Sequence, residues 1–152
     1  MSVLRALLGA AGDDAAASAG RGLGASLGHR LSARGDVRAA GLDAIVHELA
    51  TEAALAGLGM LSLERWGRAM VVRLDDAPLA GASADAFLAG VLEGLVGAAG
   101  QREVRAVSLG RDGTVARFLV ANAATAARAA ELVAANTPWG DVLVRLHAKE
   151  AR

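Results

Sequence analysis

The chain has 152 residues, balances 16 Lys+Arg against 16 Asp+Glu, and is 54% hydrophobic but only 3% aromatic. This is the length of one ordinary domain, with enough apolar material for a core, and it excludes a disordered chain. Scattered, balanced charge with few aromatics to stack on bases argues against a nucleic-acid binder. The absence of Cys excludes disulfides, thiol nucleophiles and thiolate metal sites.

The opening MSVLRALLGA holds a short apolar run (Val3, Leu4, Leu7, Leu8) that soon meets Asp13 and Asp14. A secretory apolar region is longer and leads to a small-residue cleavage site, so these residues are expected to form the first turns of a packed helix. No window reaches the ~18 uninterrupted apolar residues of a membrane span. No span is expected, and the working location is the cytoplasm.

Residues from about Ala15 to Leu31 place leucines and small residues at helical spacing, with Gly20, Gly22, Gly24 and Gly28 among them. Each glycine weakens a helix by about 1 kcal/mol relative to Ala, so their number implies a backbone that closely approaches another element. Asp36 is the expected N-cap of a second helix, from Val37 to about Ala56. Its apolar stripe is Leu42, Ile45, Val46, Leu49 and Ala53, with His47, Glu48 and Glu52 falling mostly off it.

The period then changes to two. Met60 to Leu63 and Ala69 to Leu74 predict a hairpin turning near Trp66-Gly67. Ser83 is the expected N-cap of a further helix, with Asp85 well placed against its dipole. Phe87, Val91 and Leu95 lie on one face, and Gly90 and Gly94 sit one turn apart on a neighbouring one. A second hairpin runs from Val104 to Leu109 and Val115 to Val120 around Asp112-Gly113. Asn122 opens an Ala-rich helix to about Ala135, Pro138 breaks the chain, Asp141 to His147 alternates like a last edge strand, and Lys149 to Arg152 reads as a frayed tail. The sum is a single α+β domain over residues 1–152: an antiparallel sheet of about four strands, in two hairpins, with helices on one face.

No catalytic centre emerges. The stretch from Gly20 to Gly28 lacks the preceding strand that a dinucleotide fingerprint needs. His29, His47 and His147 lack metal-ligand spacing. Ser62, Ser83 and Ser108 lack the glycines of a nucleophile elbow. No enzyme activity, cofactor or metal is expected.

Three stretches, in order, carry a family resemblance. Gly24-Ala-Ser-Leu-Gly28-His-Arg-Leu31 resembles the glycine-spaced first helix of transport-protein-particle (TRAPP) subunits of the Bet-three type. Ala89-Gly90-Val91-Leu92-Glu93-Gly94-Leu95 is similar to that family's central helix. Val104 to Val120 resembles the final hairpin of the same superfamily and of its 4-vinyl-reductase branch. With Met60 to Leu74, the resemblance covers about residues 15–121 and suggests a prokaryotic-like member. Without Cys, neither the acylated cysteine of some members nor the cysteine-bound zinc of others has a counterpart around Ala116 to Ala121, and the tail from Trp139 matches nothing in the family.

The resemblance implies a non-catalytic homodimeric module that recruits a protein partner, such as a small GTPase or signalling protein. Gly24, Gly28, Gly90 and Gly94 would serve helix contact, either within the chain or across a two-fold axis. Trp66 and Trp139 would be partner anchors if exposed, the alternative for Trp66 being a place tucked under a helix. The alternative is a sensor for an apolar small molecule, a hydrocarbon or acyl chain, held among Leu49, Ala53, Phe87, Val91 and Leu95, where the same residues would otherwise form a filled core. A reductase-associated enzyme domain ranks lowest.

Overall fold

A computed structural model describes residues 12–34, 42–66, 69–77 and 79–150. In chain order these form α1 (Asp13–Arg34), α2 (Leu42–Leu55), β1 (Met60–Trp66), β2 (Ala69–Asp75), α3 (Ala82–Gly100), β3 (Arg105–Asp112), β4 (Val115–Ala121), α4 (Ala123–Ala134) and α5 (Trp139–Glu150). The four strands make one antiparallel sheet in the order β1-β2-β4-β3. The architecture is α+β, as expected. Both hairpins lie where the alternation put them. The residues expected to start the first helix (Val3 to Leu8), to cap the second (Asp36) and to turn the first hairpin (Gly67) lie outside the described residues.

Helices cover both faces of the sheet, not one. The inner face turns Val72, Leu74, Ala116, Phe118 and Val120 toward α1, α2 and α3, while the outer face turns Val71, Leu109 and Leu119 toward α4 and α5. Neighbouring residues such as Val71/Val72 and Phe118/Leu119 are therefore all buried, as central strands require when both faces are covered.

The second outer helix replaces the expected edge strand. Residues 139–150 are helical, with Val142, Leu143 and Leu146 buried against the outer core. Pro138 lies just before α5, where a missing N–H costs nothing, and its carbonyl accepts from Val142 N at 3.0 Å. The tail expected to fray is helical as far as Glu150.

Two smaller expectations also change. The N-cap of α3 is Gly81, and Ser83 lies inside the first turn, where its hydroxyl donates to Asp13 Oδ1 at 2.8 Å. Glu52, placed off the apolar stripe of α2 by its spacing, is 2% exposed and meets Arg30 of α1 at 3.2 Å. A buried carboxylate needs such a partner. Asn122 does cap α4 as expected, its side chain accepting from Thr125 N at 2.9 Å.

The central helix α3 is long and apolar enough to cross a membrane. Here it is the core helix of the inner layer, with Phe87, Leu88, Val91, Leu92 and Leu95 all buried.

Candidate functional site

The glycines that resembled family signatures face the backbone of the other helix inside the chain. A Cβ on Gly20 would fall on the carbonyl of Phe87, one on Gly24 on that of Val91, and one on Gly28 against that of Leu95. From the other side, Gly90 faces the Ala17 carbonyl and Gly94 that of Arg21. The contacts advance four residues at a time in the same direction on both helices, so α1 and α3 run parallel with their backbones touching. Parallel helices place two positive dipole ends side by side, and Asp13, Asp14 and Asp85 in the first turns offset that charge. Gly22 faces open space and takes no part.

The five residues considered as an apolar pocket lie in the inner core. Ala53, Phe87, Val91 and Leu95 are buried there, with Leu49 packed against them. None of the five lines either of the two clefts described below.

A β-bulge positions a polar cluster that the sequence reading missed. The register between β3 and β4 shifts between Ser108 and Gly110, and Gly110 has φ +109, a conformation that side chains rarely adopt. The extra residue, Leu109, drops into the outer core, and the side chains beyond it change face. Arg111 thereby reaches the inner side, where its Nε donates to Asp85 Oδ1 at 2.8 Å while the Ser108 hydroxyl donates to Asp85 Oδ2 at 3.3 Å. About two helical turns further on, Glu93 Oε1 accepts from Ala106 N at 3.0 Å. Two side chains of α3 thus hold the edge strand β3, Asp85 through the strand's side chains and Glu93 through a backbone N–H of the strand.

The outer face carries the more suggestive arrangement. Trp66, at the end of β1, and Trp139, at the start of α5, meet edge to face, with ring centroids 5.2 Å apart and planes at 87°. The Arg117 guanidinium lies 4.9 Å from the Trp139 centroid, a cation–π contact. Trp66 Nε1 donates to Glu64 Oε2 at 3.2 Å. Arg117 stands directly opposite Arg73 across β2 and β4, a like-charge pairing that weakens a sheet unless it is balanced. Glu64 supplies the balance, 3.8 Å from Arg73 and 3.9 Å from Arg117, and Asp75 binds Arg73 at 2.7 Å. The hydrogen bond and charge of Asp75 raise the Arg73 pKa above its already high ordinary value, so this guanidinium stays charged at any pH the fold meets.

Beside this cluster runs an open groove of about 570 Å³, lined by Arg65, Trp66, Gly140, Leu143, Val144 and His147. Trp66 is 45% exposed and Val144 66% exposed. Trp66 therefore does not tuck under a helix. Of the side chains singled out from the sequence as partner anchors, the structure brings both to one place. The groove's other apolar wall, Leu143 and Val144, was hidden by reading residues 141–147 as a strand.

The three histidines stay apart from acidic ligand sets. Among the described residues, no group of three His, Asp or Glu side chains gathers as a metal site. His147 Nδ1 lies 2.9 Å from the Leu143 carbonyl one turn back.

No protein-family model matches this chain, and no curated protein matches it significantly in sequence. The functional reading therefore rests on the geometry above.

Proposed function

We infer that this chain is a non-catalytic binding and scaffold module that works as a homodimer and docks a protein partner, built on the TRAPP/4-vinyl-reductase plan. The observation that carries this reading is the Trp66–Trp139 pair, with Trp66 half-exposed along an apolar groove, Trp139 packed against the outer core, and Arg65 and Arg117 at its edge. Tryptophan and arginine on a rigid scaffold are the side chains that most often dominate protein interfaces. The two rings are already fixed by the edge-to-face contact and by the Glu64 hydrogen bond, so binding would cost little additional ordering. On this reading the module acts in the cytoplasm without turnover, and the partner's chemistry is that of a signalling protein or small GTPase presenting an apolar anchor with an acidic rim.

Differential capture tests it. The full chain and its Trp66→Ala and Val144→Glu forms are immobilised in parallel, and the proteins retained by each are quantified. A partner held by the parent chain and lost from both variants, at unchanged melting temperature, supports the reading. Equal retention by all three chains would sink it. Native mass spectrometry of the same samples checks the dimer, and a monomer at working concentration would remove that part of the reading.

A further inference from the structure

Sharing His147 of α5 with the docking groove is a second, more enclosed cleft of about 370 Å³, bounded by the loop after α3, the start of β2, the end of β4 and α5. Its floor is apolar, formed by Met70, Val104, Val120 and Leu146, the last three at most 8% exposed. Arg102 and Glu103 stand on its rim. The charge of Glu103 is answered by Arg105 at 3.1 Å. The Arg102 guanidinium makes no ion pair with any described residue, its stem lying across Gly100. Asn122, Thr125 and His147 also line it, so the cleft combines an apolar floor with a few polar groups and, at its mouth, an arginine that no described carboxylate pairs.

We propose that this cleft is a binding site for a compact organic anion, a carboxylate carried on a hydrocarbon body, with Arg102 as its anchor. The size lies within the roughly 300–1,000 Å³ typical of small-molecule sites, in which apolar walls supply affinity and a few polar groups set orientation. A planar guanidinium pairs with a carboxylate through two parallel N–H···O bonds. The body of the ligand would cover Met70, Val104 and Val120 while the carboxylate stays at the rim. The site is separate from the residues considered above as an apolar pocket, and of the docking groove's lining it shares only His147.

The chain supplies its own reporters, since it has three methionines. Met70 lines the cleft, while Met60 is 66% exposed at the opposite end of the first hairpin. The full chain, ¹³C-labelled at the methionine methyls, is titrated by NMR with octanoate, octan-1-ol, octylammonium and inorganic phosphate in turn. The expected result is a saturable shift of the Met70 methyl with octanoate, none at Met60, weaker binding of the alcohol and weakest binding of the ammonium. Arg102→Gln should weaken octanoate about tenfold and leave the alcohol unchanged, and Ala121→Leu, which fills the cleft, should abolish both. Absence of a Met70 shift with octanoate overturns the site. Equal octanoate affinity in the parent chain and Arg102→Gln overturns the anchor, and phosphate binding as tightly as octanoate overturns the need for an apolar body.

Discussion

The two faces of the sheet are built on opposite principles. The inner face is closed by backbone: α1 and α3 approach so nearly that glycine is the only residue that fits at five positions, and α3 presses its apolar stripe onto the sheet. The outer face is closed by side chains alone, with α4 and α5 covering Val71, Leu109 and Leu119 and leaving Arg73, Glu64, Arg117 and Trp66 at the β1 side only partly covered. The lesson is a division of labour: the tightly fitted face holds the fold, and the loosely covered face presents chemistry to solvent.

The largest effects should therefore come from the inner face. Phe118→Ala, at a fully buried position, should lower the unfolding free energy by about 3–5 kcal/mol in denaturant titration. Gly24→Val sets a side chain against the Val91 backbone, which cannot give way, and should cost about 3 kcal/mol. Gly22→Ala, on the same helix but facing open space, should instead gain up to about 1 kcal/mol. Equal effects at positions 22 and 24 would show that helix propensity, not fit, decides this seam.

Asp85→Ala removes the link between α3 and the bulged edge strand. It should cost about 2 kcal/mol and speed hydrogen exchange first along β3. On the outer face, Asn122→Ala should cost about 1 kcal/mol through the lost cap on α4. The smallest effect on stability is expected from Trp66→Ala, at most about 1 kcal/mol from the lost ring contact, while docking at the groove is lost. A collapse of stability in that variant would make the outer face structural as well and erase the contrast between the two.

Much of this organisation could be read from the residues. Both hairpins follow from period-two alternation, α3 from its stripe, and α4 from Asn122. The glycine faces were recognisable as sites of close approach, although no local pattern says which backbone each glycine meets. The failures share a cause. Asp141-Val-Leu-Val-Arg-Leu-His147 fits alternation and helical spacing equally well, and a short apolar run cannot separate them; the proline at position 138 was the cue for a helix start. Reading those residues as a strand removed α5, and with it the second covered face, the groove and the cleft. The unbroken run Phe118-Leu119-Val120 already asked for cover on both sides. The bulge left only Gly110 as its sign, so the pairing of Arg111 with Asp85 was out of reach, as was the meeting of two tryptophans from distant segments.

The parallel helix seam also bears on how quickly the molecule assembles and comes apart. Ser83 and Asp13 are 70 positions apart in the chain, and Arg21 and Glu93 are 72 apart. Because the two helices point the same way, the intervening segment, with α2 and the first hairpin, must be laid down before they can align. Closing so long a loop is entropically unfavourable until many contacts form together, so the seam is expected to set late, after the main barrier. Misfits there, such as Gly24→Val, should then shorten the lifetime of the native state and leave the refolding rate nearly untouched, which makes the glycines guardians of persistence more than of speed.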